Sequence, residues 1–286
     1  MELLKMLSEA SGIPGRERAV REVIAGALQG TAAAISIDRM GNLIAHVAGD
    51  GPVVAVAAHM DEIGFLVSHI EKDSGFLRIH PLGGFDPQTL VAQRVVVHAS
   101  ERRLPGCIGR KPVHILTDEE RKKPVEMKDL FVDLGLPEEQ VRAAVAIGDV
   151  VTLHQSFSAY GDILSGKALD DRVGIYVAIE AMRRVEKLAC DLYFIATVQE
   201  EVGLRGAHVA GFAVQPEIGI ALDVTAAADL PEVPERQQIT RLGRGAAIKL
   251  SDSSSISHPA LVRLLRRLAD EQEIPYQMEI LPRGGT

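Results

Sequence analysis

Four short clusters in this sequence carry residues able to do chemistry. The apolar run 53–58 (VVAVAA) ends in His59-Met60-Asp61-Glu62, and the run 192–198 (LYFIATV) ends in Gln199-Glu200-Glu201. A third run, 218–224 (IGIALDV), holds Asp223 near its end, and Asp170-Asp171 sit just before a helical pattern. Taken singly, the aspartate pair reads as a helix cap and the glutamate pair as a solvated turn. Sites in open α/β sheets gather at the carboxyl ends of strands, so parallel pairing of these runs would bring His59, Glu200, Glu201 and Asp223 to one edge. Several carboxylates crowded there repel one another and lose hydration, and bound cations relieve both costs. One histidine among carboxylates suits Zn, Co or Mn. So many ligands imply more than one ion, in the arrangement of two ions about 3.5–4 Å apart bridged by a carboxylate and a water. Such ions acidify the water and polarise a carbonyl, and a carboxylate that is not a ligand must take the proton. Of Glu200 and Glu201, one can take that role while the other binds metal. The helical H-E-x-x-H spacing of other metallohydrolases is absent from the sequence.

The elements that must position these clusters alternate. Residues 2–10 and 17–29 have helical spacing, split by Ser11-Gly12-Ile13-Pro14-Gly15. Residues 34–47 read as strand, turn, strand about Met40-Gly41-Asn42. The three apolar runs read as strands buried on both faces, as in a parallel sheet. Helices are expected over 172–187 and 259–272, the second opened by Ser257-His258-Pro259, and a strand over 276–281. Between them the chain changes character, with short strand-like pieces, frequent Pro and Gly, one helix near 136–146 and the charged stretch TDEERKKPVEMKD. The pattern predicts an α/β domain split by a β-rich insertion: 1–65 and 159–286 catalytic, 66–158 inserted.

The bulk properties narrow the function. With 286 residues, 47% hydrophobic and 24% charged, the chain has ample material for a core. Its net charge of −8 and lack of a basic stripe argue against nucleic acid, since Arg121-Lys122-Lys123 is flanked by Glu119 and Glu120. Cys107 and Cys190 form no disulfide framework, and neither a signal peptide nor an apolar run of membrane-spanning length is present in the sequence. These features point to the cytoplasm.

The motifs A-H-M-D-E-I-G (58–64), K-A-L-D-D-R-V-G (167–174), V-Q-E-E-V-G-L-R-G-A (198–207), A-L-D-V-T (221–225) and G-G-T (284–286), with S-G-I-P-G-R-E (11–17) and D-R-M-G-N (38–42), resemble the tetrahedral aminopeptidases. That family is often labelled glutamyl aminopeptidase or, misleadingly, endoglucanase; 4% aromatics and no Trp leave little for a sugar platform. The resemblance implies a three-layer mixed sheet flanked by helices, as in zinc exopeptidases, with an inserted PDZ-like barrel that builds homo-oligomers, typically tetrahedral dodecamers. It implies short peptides as substrates and two divalent ions per subunit, Zn first, with Co or Mn as alternatives. By position, Asp170 is implied as the bridging carboxylate, His59 and Asp223 as ligands of one ion, Glu201 as ligand of the other, Glu200 as general base and Asp61 as the residue orienting His59. A cis peptide after Asp170 is implied as well.

The family pattern also expects a further histidine, in a Tyr-x-His-Ser context well beyond Gly-Gly-Thr. The sequence ends at Thr286, so a shortened second catalytic part, with weaker binding of the ion held by Glu201, is expected. His258 reads as a helix-start residue rather than a replacement ligand, and His114, in Lys-Pro-Val-His, as the one other histidine with a claim to function. The competing functions are a dinuclear deacylase of N-acyl amino acids and a non-catalytic subunit of the same fold.

Overall fold

The computed structural model describes residues 1–285, in two compact units, residues 1–222 and the remainder from Asp223. In the first unit, α1 (Glu2–Glu9) and α2 (Arg18–Ala27) bury Leu4, Leu7, Val20 and Ile24, the positions that recur at helical spacing. β1 (Ala34–Ile37) and β2 (Leu43–Val47) form a hairpin, and β3 (Val53–His59) follows.

The next segment closes on itself. β4 (Gly64–Ile70), β5 (Leu77–Leu82), α3 (Pro87–Leu90), β6 (Arg94–His98), β7 (Arg103–Arg110), α4 (Asp118–Lys122), β8 (Leu130–Asp133), α5 (Glu138–Ala144) and β9 (Val150–Leu153) run in chain order. Their strands make a closed barrel in the order β4-β5-β8-β7-β6-β9. Phe65, Val67, Leu77, Val95, Ile108, Leu130, Val132 and Val151 fill it. Closure removes the unpaired edges that so many short strands would otherwise expose.

The chain then makes a hairpin of β10 (Ser158–Tyr160) and β11 (Ile163–Ser165) and returns to the first sheet with α6 (Leu169–Arg183), β12 (Asp191–Thr197), α7 (Arg205–Val214) and β13 (Ile218–Ala221). The sheet order is β1-β2-β12-β3-β13, with β12, β3 and β13 parallel and β1 and β2 antiparallel. Thr197 pairs with His59 and Ala221 with Ala57, so these three strands end at the same edge. On one face α1, α2 and α6 pack Leu7, Val20, Ile24, Ile175 and Ile179 against Leu43, Phe194 and Ala196. On the other, Ala210 and Val214 of α7 cover Ala55, Tyr193 and Ile195. Neighbouring residues of β12 thus serve opposite layers, as strand geometry requires.

The second unit contains β14 (Ala246–Ser251), α8 (Pro259–Glu271) and β15 (Tyr276–Ile280), with β14 and β15 parallel. Buried Glu279 accepts from Thr225 Oγ1 at 2.8 Å. Among the described residues no helix is long and apolar enough to cross a membrane.

Several elements depart from the sequence expectation, among them α3, the β10–β11 hairpin and β14, and three more have a clear physical reason. The charged stretch after β7 contains helix α4, opened by a capping box in which the Thr117 hydroxyl accepts from Glu120 N–H and the Glu120 carboxylate accepts from Thr117 N–H. Helix α7 is hidden in sequence by Gly206 and Gly211, poor helix formers. Gly206 is there for space, since a Cβ would lie 2.4 Å from both Asn42 Oδ1 and Val198 O. Finally, β13 is an edge strand whose residues are mostly exposed, not a strand buried on both faces.

The D-R-M-G-N turn is a structural staple. Asp38 Oδ1 accepts the N–H groups of Met40, Gly41 and Asn42. The fully buried Asn42 side chain donates to Asp38 Oδ2 and Gly206 O, and accepts from Val198 N–H at 2.9 Å. It therefore fixes the end of β12 against the start of α7. Asn42→Ala leaves these buried groups unpaired and should cost about 2–3 kcal/mol in urea unfolding, a loss that Leu in place of the half-exposed Met40 would not produce.

Candidate metal centre

β3 delivers His59 to the edge of the sheet with its ring buried, 4% of the side chain being exposed. Its Nε2 lies 3.0 Å from Asp170 Oδ1 and 3.9 Å from Glu200 Oε2. Its Nδ1 lies 3.2 Å from the carbonyl oxygen of Asp61 and 3.6 Å from Asp61 Oδ1. Asp61 thus orients His59 more through its main chain than through its carboxylate. The carboxylate itself is engaged by two amides, Oδ1 accepting the N–H of Glu200 at 3.0 Å and Oδ2 that of Glu201 at 3.1 Å. Gln199 turns the chain to make this possible, taking a left-handed conformation at φ +55°. One fully buried carboxylate thereby couples the end of β3 to the end of β12.

Asp170 and Asp171 divide two roles. Their peptide bond is cis, and both residues leave helical geometry at the start of α6. Asp171 is buried and its Oδ1 accepts from Gly174 N–H at 3.0 Å, the helix-capping role. Asp170 instead projects to His59 with 60% of its side chain exposed.

His59, Asp170 and Glu201 each offer a ligand atom, and these atoms lie within 4.8 Å of one another. The electrostatics match that crowding. Burial lifts the Glu201 carboxyl to about 7, the nearby Asp170 charge adds to the lift, and His59 opposes it. Burial works against a charged His59, but hydrogen bonds to Asp170 and Asp61 and the charges of Asp61 and Asp171 outweigh it and raise the ring to about 11. Carboxylates held this close beside a buried imidazole repel one another, and a divalent ion could relieve that repulsion in place of protons. The donor set, imidazole nitrogen with carboxylate oxygens, fits such an ion.

Further residues, to which the sequence assigned no role, hold this edge from behind. Glu62, directly after the H-M-D run, accepts from Lys167 Nζ at 2.7 and 2.8 Å and from Gly12 N–H at 3.0 Å. Burial pulls Lys167 below the ordinary lysine range, and Glu62 acts against that pull. Arg172, fully buried, donates Nη1 to the carbonyls of Leu7 and Ala10. These bonds tie α1 and the S-G-I-P-G turn to the segment that carries Asp170. Glu17 adds another tie: burial raises its carboxyl, and the N–H groups of Gly15 and Gln199 act against that rise. Gly83 closes the wall beside Glu201, since a Cβ there would meet Ile63 Cγ2 at 2.4 Å and Glu201 Oε2 at 3.2 Å. The charge of Glu62 and Arg172 next to the aspartates and the paired glycines 83–84 were the available signals.

Of the sequence candidates, His59, Asp61, Asp170, Glu200 and Glu201 are brought together. Asp223 is the first residue of the second unit, two residues past β13, where its Oδ1 accepts from Val224 N–H at 2.8 Å. His258 Nδ1 accepts from Ala260 N–H and caps α8, as its place before the helix suggested. His114 is exposed in a turn of the barrel. The G-G-T motif ends on Thr286, outside the described residues.

Known proteins share this architecture. Residues 41–286 match the family described as M42 glutamyl aminopeptidase, and residues 1–24 match a second family pattern, AMPT. A putative aminopeptidase of Acetivibrio thermocellus is 38% identical over 286 residues, covering 100% of this chain and 83% of that protein. The crystal structure of a TET aminopeptidase from a marine sediment Thaumarchaeota archaeon superimposes with a TM-score of 0.96 at 37% identity, over 100% of this chain and 82% of that one. The Pyrococcus horikoshii TET1 peptidase, which can assemble into a tetrahedron or a large octahedral shell, gives a TM-score of 0.86 at 32% identity over 100% and 85% of the two chains. The chain belongs to the M42 glutamyl aminopeptidase family, metal-dependent hydrolases that act on peptides.

Proposed function

We propose that this protein removes N-terminal residues from short peptides at a centre of two divalent ions, with Zn preferred and Co or Mn as substitutes. The observation that carries this reading is the convergence of His59, Asp170 and Glu201 within ligand distance of one another, beside a glutamate, Glu200, that remains outside the set. Asp170 is assigned as the shared carboxylate, His59 and Asp223 as ligands of one ion, and Glu201 as a ligand of the other. When bound, the ions would polarise the scissile carbonyl and acidify the attacking water. Glu200 is assigned as the general base, taking a proton from that water and returning it to the leaving amino group. Its carboxylate is 20% exposed, shielded enough to hold the proton within the site. Asp61 serves by holding both glutamate amides, which aims one carboxylate at metal and the other at water.

The same proposal extends to the domains. Residues 1–65 and 159–286 form the catalytic part, a three-layer fold of the zinc-exopeptidase kind, and the inserted part, 66–158, which supplies most of the barrel, is a PDZ-like module for oligomerisation. Support for assembly comes from the Pyrococcus horikoshii relative, which forms a tetrahedron or a shell. A tetrahedral dodecamer would enclose its sites and admit short peptides but not folded proteins. Two free cysteines accord with a cytoplasmic setting.

Glu200→Gln should lower kcat by about 10²–10⁴-fold while metal content stays at the wild-type level, and Glu201→Gln should lower metal content itself. Elemental analysis beside a steady-state assay checks both, and full metal with full activity in both variants would refute the roles. Asp61→Asn should weaken divalent binding by about 10–100-fold through misplacement of Glu201, read as a smaller rise in Tm on adding Zn. A panel of unblocked peptides and N-acyl amino acids decides the reaction: free amino acids should come from the peptides alone, and release from the acylated compounds would make this a deacylase.

A further inference from the structure

A cavity of about 500 Å³ opens on the barrel where α3, the end of β7 and α4 meet. None of the residues assigned to metal or proton transfer lines it. Its wall carries three cations, Arg110, Arg121 and Lys123, and no carboxylate. Among the described residues these three have no acidic partner, whereas the adjacent Lys111 is paired with Glu120 at 2.8 Å. Of the acids nearby in sequence, Asp118 and Glu119 are exposed on α4 and do not line the cavity, and Glu120 and Asp86 are engaged elsewhere. Lys111 and the N–H of Thr117 hold Glu120 down to about 2, and Asp86 caps α3 through Gln88 N–H. Between the cations the wall is apolar, from Val113, Leu116 and Val125, with His114 alongside.

We propose that this pocket is an exosite for acidic peptide segments, binding glutamate or aspartate side chains or a free C-terminal carboxylate. Unpaired guanidinium groups bind carboxylates through two parallel hydrogen bonds, and the apolar wall accepts the aliphatic part of the same ligand. The volume lies in the range of sites for small ligands, enough for about two or three residues. A net charge of −8 and the absence of a basic stripe in the sequence argue against a nucleic-acid ligand. The chain is acidic as a whole, so a local cluster of cations around a cavity would draw acidic peptides to the barrel against the general field. The proposal rests on the peptidase reading only for its choice of a peptide.

The test titrates the full-length protein with a fluorescent N-acetylated peptide, acetyl-Glu-Glu-Leu-Glu amide, and with its glutamine counterpart, following anisotropy. Acetylation blocks aminopeptidase turnover, so binding is read apart from catalysis. The glutamate peptide should bind and the glutamine peptide should not, and added salt should weaken binding. The double variant R110Q/R121Q should bind the glutamate peptide at least about tenfold more weakly, and Lys123→Gln about threefold, with hydrolysis of a neutral aminoacyl amide unchanged in both. Equal binding of the two peptides, undiminished affinity in the variants, or binding of ATP in place of the acidic peptide would overturn the proposal. If acidic peptides bind in an arginine-dependent way to a protein without aminopeptidase turnover, the exosite stands and the catalytic reading fails. Turnover without such binding overturns the exosite and leaves the catalytic reading standing.

Discussion

The candidate centre depends on one interaction, the buried Asp61 carboxylate that accepts the main-chain N–H groups of both Glu200 and Glu201. Those amides would otherwise be unpaired at the end of a buried strand, and the aspartate would be an uncompensated buried charge. Each satisfies the other. The same bond pair sets the spacing between the last residues of β3 and the turn after β12, the distance on which any shared ligand geometry depends. Everything else at the edge elaborates this link. Gln199 takes a left-handed conformation to present the amides, Asn42 fixes Val198 beneath them, and the carbonyl of Asp61 steadies His59.

A second layer of charge supports the first. Glu62, Lys167 and Arg172 are all buried and bind the S-G-I-P-G turn and α1 to the segment bearing Asp170. Removing one partner from such a group leaves a buried charge without compensation, which makes the arrangement cooperative and position-specific. The front of the site has the opposite character. Asp170 is mostly exposed while His59 is buried and Glu201 partly so, and the carboxylates meet at the edge of the site. A rigid back and a repulsive front together make a place suited to a cation.

Much of this was legible in the sequence because strand burial and polar termination coincide. Apolar runs ending in His-Met-Asp-Glu and Gln-Glu-Glu located the edge, and the parallel pairing of β3, β12 and β13 is what their lack of alternation suggested. The division between Asp170 and Asp171 was half legible: capping was visible, but which residue capped depended on the local backbone at the start of α6. Helix α7 was hidden because its glycines answer to a tertiary contact, the close approach of Gly206 to Asn42 and Val198, which overrides local propensity. Helix α4 was hidden among charges although its capping box was present in Thr117 and Glu120. The buried role of Glu62 could not be read locally, because its partners lie 50 and 105 residues away in the chain.

The central claim is that Asp170 is shared by two cations, one held by His59 and the other by Glu201, while Asp61 and Glu200 are not ligands. Anomalous scattering from crystals grown with Co or Zn tests it most directly. The account predicts two peaks that share the Asp170 carboxylate, one on His59 Nε2 and one on the Glu201 carboxylate, with the Asp61 carboxylate still on the two amides. A map with no peak at that edge, or with Asp61 turned from the amides to coordinate the ion, would contradict it.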